Sequence, residues 1–137
     1  MADPSPAQIA RAFIEAINKH DADALCALMS EDHLFIDSVD HHWQGRETMR
    51  DAWRGYFLWF PDYTITIEET YTSGNVVVAL GKAGGTYAGD AGLDPSREWQ
   101  VPAAFRAEIE GGLVKEWRVY ADNEPARQAM QGGGGGG

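Results

Sequence analysis

Residues 97–122 read REWQVPAAFRAEIEGGLVKEWRVYAD. Gly111-Gly112 sits between two runs of strand-forming residues, the signature of a two-residue hairpin turn. With those glycines at the centre of the turn, Glu110 pairs with Leu113, Glu108 with Lys115 and Arg106 with Trp117. A charge pair and a guanidinium resting on an indole both favour that register. Trp99, Val101, Ala103, Phe105, Ala107 and Ile109 then form one apolar face that looks inward. Across the hairpin, the same register puts Val114, Glu116, Arg118, Tyr120 and Asp122 on that face. The expectation is a row of polar side chains on the buried side of a sheet. Asp122 would be a carboxylate in apolar surroundings, able to act as a general acid or base. One extra residue would turn one strand over and cancel the expectation.

Upstream, Tyr63, Ile65, Ile67, Glu69 and Tyr71 alternate with Thr64, Thr66, Glu68 and Thr70, the period of a half-buried strand. Ser73-Gly74-Asn75 turns the chain into a second strand, Val76 to about Tyr87, whose Gly81, Gly84 and Gly85 mark a bulge or a close approach. A Gly-, Asp- and Pro-containing loop from Ala88 to Ser96 precedes the hairpin. Before Pro61 the period is helical. Ser5-Pro6-Ala7-Gln8 is a capping box, followed by Ile9, Phe13, Ala16 and Ile17 on one stripe. Asp21 caps a short second helix carrying Leu25, Leu28 and Met29, which Ser30-Glu31-Asp32 ends. His33 to Asp37 reads as a strand, and Ser38 to Gln44 as a polar loop or hairpin. Gly45 opens a third helix with Met49, Trp53, Tyr56, Phe57 and Phe60 on its apolar face. Asn123 to Gln131 reads as a tail or stub helix. Helices followed by antiparallel strands make an α+β domain, with the helices on one face of a curved sheet.

The chain has 137 residues and a formal charge of −10, with five Trp, five Tyr and five Phe. Residues 1–131 fit a single domain, and Gly132 to Gly137 read as a flexible glycine tail. The acidic balance excludes nucleic acid as the expected partner, because phosphate binding needs a basic face. No apolar run is long enough for a membrane span, and the first twenty residues are too polar for a signal peptide, so the expected setting is cytoplasmic. The lone Cys26 has no internal partner and no basic neighbour, and reads as an inert buried thiol.

Asp37 is the second candidate carboxylate; it shares a strand face with His33 and Phe35 and lies just before a turn. His33, Asp37, Asp40, His41 and His42 lack H-x-H or H-x-x-x-H spacing, so no metal is expected. His41 is instead a candidate for the pocket rim, where a histidine can carry protons. Trp59 lies off the third helix's apolar stripe and suits a pocket mouth or a dimer contact. The glycines of 81–85 precede no helix and no G-K-[ST] motif, so they do not bind a nucleotide.

NKHDADAL, FID, GRETMRDAW, FPDYTI and the final EWRVYADNEP give residues 6 to 128 a consistent order of motifs. This pattern resembles the SnoaL-like branch of the nuclear transport factor 2-like superfamily. The resemblance implies a cone-shaped antiparallel sheet closed by three helices around a deep pocket, a cystatin-like α+β barrel, and a homodimer. It implies a small apolar or aromatic ligand and chemistry without a cofactor. Asp37 looks like the proton-shuttling base of ketosteroid isomerases, but their oxyanion donors fall at Phe13 and near Ala104. Asp122 is similar to the last-strand acid of limonene-epoxide hydrolases, whose Arg-x-Asp element falls at Gly81 to Gly85 with only Lys82. Asp122 in YADN also resembles the acid/base residue of SnoaL-type cyclases. The expected site is therefore Asp122, Asp37 and Tyr120 for proton transfer. Phe13, Phe35, Trp53, Trp59, Trp99, Phe105, Arg118 and His41 would make up the binding wall. The competing expectation is a silent ligand-binding or dimerisation module of the same fold.

Overall fold

A computed structural model describes residues 4–89 and 92–132. Helix α1 (Pro6–Asn18) starts on the expected capping box: Ser5 accepts from the Gln8 amide, and the Gln8 side chain accepts from the Ser5 amide. Asp21 caps α2 (Ala22–Leu28) by accepting from the Ala24 amide. Strands β1 (Met29–Ile36) and β2 (His42–Gln44) form a hairpin that leads into α3 (Arg46–Trp59). The polar run Ser30-Glu31-Asp32, read as a break, is already strand. Then come β3 (Thr64–Ser73), β4 (Val76–Gly89), β5 (Gly92–Glu110), β6 (Leu113–Ala121) and α4 (Glu124–Gly132). The expected loop before the hairpin is mostly strand from Gly92 onward, and the glycines after Gly132 lie outside the described residues.

The six strands lie in the order β2-β1-β6-β5-β4-β3, an α+β architecture with a curved, unclosed sheet. All neighbours are antiparallel except β1 and β6, which run parallel. Turn signals set the direction of hairpins only, and these two strands come from opposite halves of the chain. Side chains pin the helical layer to the sheet. Asn18 bonds both backbone groups of Ile65 at 2.8 and 3.0 Å, and His20 Nε2 donates to the Tyr63 carbonyl at 2.7 Å. Gly81 is where β4 meets β3 most tightly: a Cβ there would lie 1.8 Å from the Thr66 carbonyl oxygen, so no other residue fits.

The hairpin departs from its expected register after two pairs. Gly111 and Gly112 adopt φ of +60° and +78°, the left-handed geometry of a tight turn, and Glu110 pairs with Leu113 as expected. Ile109 then pairs with Val114 but Glu108 with Glu116, so Lys115 is an extra residue in β6. This bulge shifts the pairing and turns the rest of the strand over. Trp117 pairs with Ala107, Val119 with Phe105 and Ala121 with Ala103, all towards the core. Glu116, Arg118 and Tyr120 go to the outer face. Arg106 bonds Glu116 at 2.6 Å and Glu108 at 3.5 Å there, instead of resting on Trp117. Lys115 bonds Glu110 at 2.9 Å, not Glu108. The apolar ladder of β5 from Trp99 to Ile109 is buried as expected.

A fully buried histidine holds the irregular region. His33 Nδ1 lies 2.7 Å from the Val114 carbonyl oxygen, which can only accept, so the ring carries its proton on Nδ1. His33 stands within the interval from Met29 to Leu34, where the β1–β6 pairing also shifts. Its Nε2 is buried without a partner.

Two outcomes test this arrangement. Deleting Lys115 removes the extra residue and leaves a regular hairpin in which Glu116 still meets Glu108 and Trp117 still meets Ala107, so the buried face is expected to survive at a cost of about 1 kcal/mol or less from the lost Lys115–Glu110 pair. Near-ultraviolet circular dichroism of that variant should retain the native aromatic signal. Burial holds the His33 pKa below its ordinary 6.5, against smaller raising contributions from the Val114 bond and Asp32. The native ring stays neutral while the unfolded chain takes up a proton below about pH 6.5, so stability is full above that pH and falls as pH drops through it. Urea midpoints should therefore fall between about pH 7.5 and 5.5. A His33→Phe variant should show a flatter dependence.

Candidate functional site

The concave side of the sheet, α3 and α4 enclose a cavity of about 520 Å³. It exists because the wall positions carry small residues. Ala103 faces Ala121 across β5 and β6, Ala83 lies on β4, and Ala52 and Gly55 lie on α3. Large aromatics fill the remaining wall. Trp53, Tyr56 and Phe60 come from α3 and its end, Tyr63 from the turn before β3, Trp99 from β5 and Trp117 from β6. Trp53 and Tyr56 meet edge to face at 5.8 Å, as do Tyr56 and Tyr63 at 4.9 Å and Phe60 and Trp99 at 5.4 Å.

Few polar groups reach this space. The indole nitrogens of Trp53, Trp99 and Trp117 are buried and have no hydrogen-bond partner. They offer no surface to the cavity, so these rings present carbon to it. Burial pushes the Tyr56 phenol well above its ordinary value of 10, with neighbouring Tyr63 adding to the shift. Burial likewise raises Tyr63, against the opposing bond to Tyr56. Both therefore remain neutral hydroxyls at any ordinary pH.

Asp37 is the sole acidic residue in the wall among the described residues. It follows β1 at the start of the β1–β2 loop. Its Oδ1 accepts from the amides of Val39 at 3.0 Å and His41 at 2.9 Å, so the side chain also shapes the turn. Its Oδ2 has only longer neighbours, Trp43 Nε1 at 3.4 Å and His41 Nδ1 at 3.6 Å. Oδ2 is thus the less firmly held of the two carboxylate oxygens. No group of His, Cys, Asp and Glu among the described residues could hold a metal ion.

Phe35, Trp53, Trp59, Trp99, Phe105 and Asp37 all line the cavity. Trp59 is about half exposed, which suits the mouth. Phe13 is fully buried behind the wall, packed on Trp117 at 4.7 Å. His41 stands outside in solvent, beside Asp37. The β6 residues are not brought to the cavity. Tyr120 is half exposed on the outer face, with the Arg118 guanidinium over its ring and Arg118 paired to Asp40 at 3.3 Å. Asp122 is exposed and accepts from the Glu124 amide at 3.0 Å, holding the start of α4. The Lys115 bulge is the reason for all three corrections. Trp117 was expected on the outer face, and Trp43, Tyr63, Ala126 and Met130 complete a wall that their local pattern did not reveal. The spacing of Ala126 and Met130, four apart, was the available signal for α4.

Residues 10–117 match the family model of the SnoaL-like domain. No curated protein matches the chain significantly. Among solved structures, a candidate SnoaL-like polyketide cyclase from Shewanella denitrificans superposes with a TM-score of 0.79 at 17% identity, covering 92% of this chain and 96% of that one. An NTF2-like protein from Burkholderia thailandensis gives 0.77 at 19% identity, with 93% and 98% covered. An epoxide hydrolase from M. tuberculosis similar to the limonene-epoxide hydrolases gives 0.76 at 15% identity, with 91% and 88% covered. At these identities the likeness is one of fold.

The placement of Asp122 has a direct consequence. Asp122→Ala is expected to cost up to about 1 kcal/mol through the hydrogen bond lost at the start of α4 and to leave ligand binding unchanged. Thermal melts and a tryptophan-fluorescence titration with a small aromatic ketone would show both.

Proposed function

The chain belongs to the SnoaL-like domain family, and from that premise we propose that it binds a small, largely apolar molecule in the aromatic cavity and moves a proton on it through Asp37. The observation that carries this reading is the pairing of an apolar cavity of about 520 Å³ with one carboxylate in its wall. A cavity of that size holds a molecule of one to three rings. Most of its binding free energy would come from carbon surface leaving water, at roughly 25 cal/mol per Å². Asp37 Oδ2 is the group able to take a proton from it, because Oδ1 is fixed by the loop backbone. The neutral hydroxyls of Tyr56 and Tyr63 are the donors that would meet an oxygen on the ligand. No metal or organic cofactor is needed for such a transfer.

Binding without chemistry is the second reading. It is favoured by the turn-forming role of Asp37 Oδ1, which accounts for the residue on structural grounds alone.

The bicyclic ketone 2-tetralone separates them. Its α-protons exchange with deuterated water, and the exchange is followed by NMR. The wild-type protein is expected to bind it, seen as tryptophan quenching, and to accelerate the exchange. Asp37→Asn keeps the acceptor oxygen of the turn, so it should retain binding within about threefold while exchange falls by about 10²-fold or more. Binding with no acceleration in the wild type would favour the silent module. Absence of binding by this ketone and by a panel of similar one- to three-ring compounds would remove the small-ligand reading.

A further inference from the structure

We propose that the ligand of this cavity carries a substituted ammonium, a positively charged nitrogen bearing apolar groups, held by the aromatic walls with Asp37 as its counter-ion. This rests on the reading of the cavity as the ligand site and goes beyond it by naming the chemical class.

The walls are the first argument. Trp53 and Tyr56 are set at 81° to each other, Tyr56 and Tyr63 at 88°, and Phe60 and Trp99 at 78°. These rings line one space at differing orientations and are not stacked on one another. A space walled by aromatic rings attracts a cation wherever a negative ring face is presented to it, most strongly when the site is dry. The indole nitrogens of Trp53, Trp99 and Trp117 are sealed from the cavity and that of Trp43 is turned to Asp37, so these four tryptophans contribute no hydrogen-bond donors that would select an anion or a carbonyl instead.

Charge is the second argument. Asp37 is the wall's one acidic group among the described residues, and no Lys or Arg pairs with it there; its neighbour of opposite potential is the exposed His41 at 3.6 Å. A carboxylate beside an apolar space whose partners are backbone amides, an indole and an exposed imidazole, with no Lys or Arg, gains from a mobile cation. Arg127 is the wall's basic residue, but it is more than half exposed and bonded to Glu124 at 2.8 Å, so its charge is turned to solvent and matched. The chain's net charge of −10 favours the approach of cations over anions.

Phenyltrimethylammonium and tert-butylbenzene test this directly, because they share a shape and differ in one positive charge. Titrations of the full chain by tryptophan fluorescence, checked by calorimetry, would compare them in the wild type and in Asp37→Asn, with circular dichroism confirming the variant's fold. The cation is expected to bind at least about tenfold more tightly than the neutral isostere. That preference should shrink by about fivefold or more in Asp37→Asn, while the affinity for tert-butylbenzene stays within about twofold. Equal or tighter binding of the neutral compound to the wild type would overturn the ammonium assignment and leave the apolar site standing. A preference for the cation that Asp37→Asn leaves intact would overturn the counter-ion role. If neither compound binds, the cavity reading itself fails.

Discussion

One extra residue in the last strand governs this domain. Lys115 bulges out of β6, and the parity of every later residue in that strand follows from it. Without the bulge, Trp117 would face solvent while Glu116 and Arg118 faced the core, an arrangement that costs several kcal/mol per unpaired charge. With it, Val114, Trp117, Val119 and Ala121 complete the concave face. The His33 ring fixes the place where this happens, through its bond to the carbonyl of Val114, the residue before the bulge. That bond spans strands from opposite halves of the chain and joins two pairing irregularities, one in β1 and one in β6.

The cavity is a second consequence of the same register. The inward partners brought together by the shifted strand include Ala103 opposite Ala121, two small residues where a larger pair would have filled the space. α4 lays Ala126 and Met130 over that end, while Trp53, Tyr56 and Phe60 on the other side are too large and too rigid to collapse inward. The aromatic richness of the chain is thereby divided: some rings pack the core behind the wall, as Phe13 does, and others form the wall. Tyr71 and Tyr120 stay outside.

Asp37 both shapes a turn and lines the cavity because of its position. It stands where β1 gives way to the β2 loop, so Oδ1 organises the turn while the residue also lines the cavity. A carboxylate deeper in the wall would have needed a buried partner, and one further along the loop would have been solvated. The outer face shows the opposite solution for charge. Arg106 lies diagonally between Glu108 and Glu116, which offsets the like-charged pairs that the register places directly opposite one another.

Local chemistry made much of this legible in advance. The Ser5–Gln8 capping box, the Asp21 cap, the glycine turn at 111–112 and the change of period after Pro61 each act within a few residues, and each appears in the structure where the sequence places it. The α+β class and the buried ladder of β5 follow from such signals, whereas Asp37 is singled out through the family resemblance, because both faces of its strand carry apolar residues. The bulge at Lys115, the parallel pairing of β1 with β6 and the cavity itself do not. Inserting one residue into a strand leaves its composition and local propensity unchanged, and it is selected by which face can be buried against partners far away in the chain. Sequence therefore determined the elements and their order. Only the packed structure decided on which side of the sheet Trp117, Arg118 and Tyr120 would stand and that Asp122 would hold α4, because side-chain parity in a strand is a property of its pairing.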